Sequence, residues 1–137
     1  MYDTGVNYNG TVILFDGDRN EQYIPSCNEW VPFEPCPTNV TAATVVNDSI
    51  YTVRKYFGCQ VDMFDGISWN RIVMPIPSKF DVNGTRMIAA KGIVMFLPSG
   101  AECNELNSFA YNTNEQKQIP LPVRLPYTFF YRTITSF

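Results

Sequence analysis

Three Pro-x-Pro pairs recur along this chain: Pro35-Cys36-Pro37, Pro75-Ile76-Pro77 and Pro120-Leu121-Pro122, separated by steps of 40 and 45 residues. A period of that length means an array of one supersecondary unit, so it constrains the fold more than any single motif does. The residues ahead of each pair repeat as well. Tyr23 to Trp30, Phe64 to Trp69 and Tyr111 to Gln118 each read as an aromatic, a polar turn, and a Trp or its substitute opening a short apolar stretch. That is the pattern of a hairpin whose aromatics face a core. Proline cannot donate to a ladder, so the second proline of each pair is expected to mark where pairing stops.

A second hairpin precedes each of these. Asn9-Gly10 leads into Thr11–Phe15, Thr41–Val46 turns at Asn47-Asp48 into Ser49–Val53, and Thr85–Ala90 turns at Lys91-Gly92 into Ile93–Leu97. β-branched and aromatic residues fill the strands while Asn, Asp and Gly fill the turns, as pleated backbone and left-handed turn positions require. Ten prolines and dense turn signals leave no window for a helix longer than a turn or two. Each unit is therefore expected to be four short strands in chain order.

Four-stranded units of this length are the signature of β-propeller blades. In Ser49–Val53, Tyr23 to Trp30 and Phe64-Asp65 to Trp69 the chain resembles the kelch family. The family's unit has a small-residue strand, an apolar strand ending in a glycine pair, an aromatic-Asp turn and a Trp closing on prolines. This sequence departs from it by lacking the double glycine: Phe15-Asp16-Gly17-Asp18, Phe57-Gly58 and Pro98-Ser99-Gly100 stand in its place, and the third Trp is Gln118. The resemblance implies an all-β, kelch-like propeller segment with repeats over 1–39, 40–80 and 81–125, and a fourth beginning over 126–137. Propellers close with roughly four to eight blades. Three blades and a stub are too few, so the expectation is a segment of a larger propeller or a protomer completing a ring with other chains.

Charge narrows the partners. The net charge is −3, and Arg54-Lys55 is the only adjacent basic pair, so no basic stripe exists to track phosphates and no nucleic acid is expected. No apolar run is long enough to span a bilayer. Four N-glycosylation sequons stand at Asn9, Asn39, Asn47 and Asn83, all in expected turns or connections, and point to a secreted or extracellular chain bearing N-linked glycans. Asn9 and Asn47 occupy the same turn of successive units, whereas Asn39 and Asn83 fall between units. In an up-and-down blade these loop types lie on opposite faces.

Cys27, Cys36, Cys59 and Cys103 form no Cys-x-x-Cys, and the chain has no histidine, so disulfides are the expected use rather than a metal site. The blade reading places Cys59 and Cys103 in equivalent loops and favours that pair. Cys27 and Cys36 are separated by nine residues of nearly extended chain, about 30 Å, too far for one bridge. Cys27 is expected to bond elsewhere or to stay free.

Without histidine, Ser-His-Asp and Cys-His catalysis are excluded within this chain. Gly66-Ile67-Ser68-Trp69 resembles the Asp-box of sialidase propellers, but Phe64 stands where the box needs Asp and Asp62 where it needs Ser. Such boxes are structural turns in any case, so no enzyme and no cofactor are expected. Asp16, Asp18 and Asn20 offer alternate oxygen ligands as a calcium loop does, yet the sixth-position Gly and the later bidentate Glu are missing. A solvated turn is the plainer reading. Tyr127, Phe129, Phe130 and Tyr131 read as core of an alternating strand, with a sugar-binding or membrane-facing patch as the other reading.

The functional expectation is an extracellular structural, adhesive or protein-binding module contacting other proteins, matrix or copies of itself. Its binding face is expected in the loops at Tyr56 to Gln60 and Ser99 to Glu105. The alternative is the non-catalytic propeller part of a secreted carbohydrate-active protein. An intracellular kelch adaptor is disfavoured by the sequons.

Overall fold

The structure is a computed structural model that describes residues 4–55, 59–98, 104 and 106–119. Its strands in chain order are β1 (Thr4–Tyr8), β2 (Thr11–Phe15), β3 (Glu21–Ile24), β4 (Glu29–Pro32), β5 (Val40–Val46), β6 (Ser49–Lys55), β7 (Cys59–Phe64), β8 (Trp69–Ile72), β9 (Arg86–Ala90), β10 (Ile93–Leu97), β11 (Phe109–Asn112) and β12 (Lys117–Ile119). They form three four-stranded antiparallel sheets, ordered β1-β2-β3-β4, β5-β6-β7-β8 and β12-β11-β10-β9. Every sheet is a meander in which chain neighbours are spatial neighbours. A single 3-10 turn at Val82–Gly84 is the longest helical piece among the described residues.

One device starts all three sheets. Asn9 and Gly10, Asn47 and Asp48, and Lys91 and Gly92 all have positive φ, between 49° and 78°. Two consecutive positive-φ residues make a type I′ turn, whose twist matches that of the strands it joins. The turn fixes the register Tyr8↔Thr11, Val46↔Ser49 and Ala90↔Ile93. The second hairpins use longer turns held by side chains. Asp65 Oδ1 accepts from the backbone N–H of Ile67 (2.8 Å) and Ser68 (2.9 Å), and Asn112 Oδ1 accepts from those of Asn114 (3.0 Å) and Glu115 (3.1 Å).

The first two Pro-x-Pro pairs do not end their ladders: β4 stops at Pro32 and β8 at Ile72, three residues before the first proline, and both pairs lie in the connections. The third pair lies outside the described residues. Pro32 itself sits on an edge strand opposite Glu21, where a missing donor does little harm.

The chain divides into two compact units, one ending at Val73 and one beginning at Met74. In the first, β1 lies beside β5, and the first sheet packs one face on the second. Tyr8, Ile13, Phe15, Val40 and Ile50 are its buried centre, with Phe33, Phe64 and Trp69 packed around them. The rings meet edge-on: Phe15–Trp69 centroids are 6.4 Å apart, Phe33–Phe64 5.5 Å and Tyr8–Phe64 5.9 Å. Such pairs add about 0.5–1.5 kcal/mol each beyond their buried area.

Equivalent rows of the two sheets differ sharply. Ile50, Phe64 and Trp69 stand side by side across the second sheet, as Val12, Tyr23 and Trp30 do across the first. The first sheet covers the former row. The latter is less covered: Trp30 is 49 % exposed, and its one ring contact among the described residues is Tyr23 at 5.0 Å. Trp30 is therefore not the core residue that its hairpin pattern implied. In the second unit, Val94, Phe96 and Phe109 are buried, Phe96 stacks on Phe109 at 4.3 Å, and Phe80 meets Phe109 at 5.0 Å.

Candidate binding groove

The first Pro-x-Pro connection is anchored before it reaches the second sheet. The Phe33 N–H donates to the Asn20 carbonyl (2.9 Å), Asn20 Nδ2 donates to the Pro37 carbonyl (2.9 Å), and the Asn39 N–H donates to the Gly17 carbonyl (2.8 Å). The loop that offered Asp16, Asp18 and Asn20 as calcium ligands thus clamps a connection. Asn20 is buried with its Nδ2 bound to Pro37 and its Oδ1 without a hydrogen-bond partner among the described residues, whereas Asp18 is exposed and the Asp16 carbonyl accepts from the Arg19 N–H in a tight turn. Among the described residues no group of three His, Cys, Asp or Glu side chains converges on a metal position.

Clamped in this way, Phe33 to Pro37 forms one wall of a cleft of about 600 Å3 inside the first unit. The β7–β8 hairpin supplies the other wall through Phe64, Ile67, Ser68 and Trp69, and Arg54, Asp62 and Arg71 complete the lining. A volume of that size is typical of sites that hold a small ligand or a few residues of peptide.

Strand alternation explains the chemistry of the lining. Thr52, Asp62 and Arg71 are opposite one another across β6, β7 and β8, on the face that also carries Ile50, Phe64 and Trp69. Asp62 is buried, and its Oδ2 lies 3.0 Å from Arg54 Nε, an ion pair rather than a directed hydrogen bond. Gln60 Nε2 donates to its other oxygen at 2.9 Å. Arg71, directly across from Asp62 in register, is exposed. The Trp69 indole N–H is buried without a hydrogen-bond partner among the described residues. Ile67, at the hairpin tip, is 91 % exposed although it lines the cleft. Burial pushes the Cys36 thiol up to about 12, with Arg54 acting in the opposite direction, so Cys36 meets the cleft as a neutral thiol.

The other expected site residues lie elsewhere. Asn9, Asn39, Asn47 and Asn83 are all exposed. Asn39 and Asn47 flank the seven residues of β5, which puts them at opposite ends of the second sheet, about 26 Å apart at ~3.3 Å per residue. Cys27, Cys36 and Cys59 are thiols, and no disulfide joins described residues. Cys103 lies outside the described residues, and with it the favoured Cys59–Cys103 pair. The same holds for most of the expected binding loops (56–58, 99–103 and 105) and for Tyr127, Phe129, Phe130 and Tyr131.

Sequence reasoning passed over Arg54, Asp62 and Arg71. The available signal was a pair of charges inside otherwise apolar strands, and only the hairpin register reveals that they share a face. No protein-family model matches the chain, and no curated protein matches it significantly. Among the described residues no helix is long and apolar enough to cross a membrane.

Proposed function

We propose that this chain is a secreted, N-glycosylated protein-binding module of structural or adhesive kind, built on kelch-like blades of a β-propeller. Three meanders opened by one turn type support the repeat architecture. The observation that carries the binding role is the cleft beside the first Pro-x-Pro connection, where aromatic rings, an exposed isoleucine and two arginines share one opening. Exposed apolar side chains grouped with polar ones are characteristic of protein contact sites. Chemistry on substrates is not part of the proposal.

Intact mass before and after glycosidase treatment tests the compartment. Expressed through a secretory pathway, the chain is expected to lose mass on treatment, with glycans on Asn39 or Asn83 among them. A bare polypeptide mass would overturn the secreted reading and favour an intracellular adaptor. The alternative, a non-catalytic part of a carbohydrate-active protein, draws on the same aromatic rings, which also suit a sugar's apolar face. Binding to a glycan array together with silence toward matrix and cell-surface proteins would select it. Self-assembly is supported by the half-exposed Trp30 row, and sedimentation velocity of wild type against Trp30→Ser reads it directly.

A further inference from the structure

The cleft of the first unit has a polarity that says more about its occupant. Its apolar part is formed by Phe33, Pro35, Phe64, Ile67 and Trp69, a surface suited to a ring or a branched aliphatic side chain. On the sheet floor lie the carboxylate of Asp62 and two arginines, Arg54 and Arg71, the latter opposite Asp62 in backbone register. Arg54 is the one paired with that carboxylate at 3.0 Å, and it is largely covered. Arg71 is exposed and forms no ion pair with a described residue, which leaves its charge available to a ligand. Glu34, also exposed, is an anion of the lining contributed by the Phe33 to Pro37 segment, whereas Arg71 is contributed by β8. A uniformly acidic ligand would meet Glu34. A ligand with one carboxylate beside an apolar group would not.

We infer that the cleft binds an extended segment of a partner protein in which an aromatic and an acidic residue stand two positions apart, on one face of the segment. The ring enters among Phe33, Phe64, Ile67 and Trp69, and the carboxylate meets Arg71. The 91 % exposure of Ile67 favours a protein segment over a free small anion, because burying it requires a partner broad enough to cover the hairpin tip. The charges of Arg71 and Glu34, carried on different segments of the lining, orient the bound chain, as complementary charge does at interfaces generally.

The chain's two tryptophans make the test direct. In a Trp30→Phe background the only indole is Trp69, which lines the cleft. The probes are three end-capped peptides, Gly-Ser-Phe-Ser-Glu-Ser-Gly and its Phe-Gln and Ala-Glu counterparts with the same spacing, titrated to millimolar concentration. Saturable change of Trp69 emission with the Phe-Glu peptide is expected, weakened more than tenfold with Ala-Glu because anchors dominate small interfaces. Loss of one exposed charge contact is expected to cost about three- to fivefold, so Phe-Gln should bind that much more weakly. Arg71→Gln should erase the difference between Phe-Glu and Phe-Gln, while Lys117→Gln on β12 should not. An unchanged circular dichroism spectrum and melting temperature for Arg71→Gln show that the fold is intact.

The inference is overturned if no peptide moves Trp69 emission, if Phe-Gln equals Phe-Glu in the Arg71 protein, or if chito-oligosaccharides move it and the peptides do not. It rests on the protein-binding reading above, but the two fail separately. A glycosylated protein whose Trp69 ignores the peptides loses only this cleft. A peptide-binding chain without glycans loses only the secreted compartment.

Discussion

The Tyr8 phenol donates a 2.9 Å hydrogen bond to the backbone carbonyl of Asp48, fastening the last residue of β1 to the turn that opens the second sheet. The two residues are 40 positions apart, one repeat length, and sit at equivalent ends of neighbouring meanders. Tyr8 is buried, and its ring also meets Phe64 at 5.9 Å, so one side chain joins the two sheets by both packing and a polar bond.

Removing only the hydroxyl isolates the polar part. Tyr8→Phe is expected to destabilise the first unit by about 1 kcal/mol, the usual net worth of such a bond, because the exposed Asp48 carbonyl can turn to water. Urea titration followed by Trp69 fluorescence measures it. A loss above about 3 kcal/mol would mean that the carbonyl stays buried and unsatisfied.

The two tryptophans should differ in what they hold together. Trp69 packs on Phe15, Phe33 and Phe64, whereas Trp30 touches one ring, that of Tyr23. Trp69→Ala is expected to cost about 3 kcal/mol, near the low end for core aromatics because the residue is not fully buried. Trp30→Ala should cost under about 1 kcal/mol. Chemical denaturation of the two variants gives the comparison, and equal losses would contradict the difference in packing.

The hairpin at Asp65 carries a pH signature. Backbone N–H groups of Ser68 and Ile67 hold its carboxyl below the ordinary aspartate value. An acid with a depressed folded pKa contributes stability that is present above its unfolded pKa and is lost as pH falls through the folded value. The amide resonances of Ile67 and Ser68 should therefore titrate together in NMR, with a shared midpoint below 3.8. Asp65→Asn should abolish that titration.

Cys36 acts in the opposite direction. Its thiol ionises near 9.0 in the unfolded chain and near 12 in the cleft, so between those values the folded state keeps a proton that the unfolded state has lost. Stability is thus full below pH 9 and falls as pH rises toward 12. Cys59, raised to about 11 by burial, and Tyr8, raised by burial and by Asp48, add to the same alkaline loss. Cys36→Ala should flatten the decline in melting temperature above pH 9 without abolishing it. At pH 8 the thiolate fraction of Cys36 is lowered on the order of a thousandfold, so iodoacetamide should label exposed Cys27 long before Cys36. Mass spectrometry of the labelled peptides reads the order.

Local chemistry was legible from residues that decide their own backbone. Asn9-Gly10, Asn47-Asp48 and Lys91-Gly92 are turns wherever they occur, because few residues tolerate two consecutive positive-φ positions, and the strands on either side alternate as pleated backbone must. Those turns mark the first hairpin of each sheet, and the aromatic, polar-turn pattern that follows marks the second. The sequence also determined the exposure of Asn9, Asn39, Asn47 and Asn83, since sequons in turns stand clear of the ladders.

Packing between sheets was decided by the tertiary structure. Trp30 and Trp69 have the same hairpin pattern, and nothing local separates them; only the sheet lying over Trp69 makes one core and leaves the other half-exposed. The cleft is non-local in the same sense. Phe33 and Glu34 come from one repeat and Arg54, Asp62 and Arg71 from the next, and they meet because Asn20 clamps the Pro37 carbonyl. Period and turn chemistry act over two to four residues and are written in the chain, whereas burial depends on which face a distant sheet happens to cover.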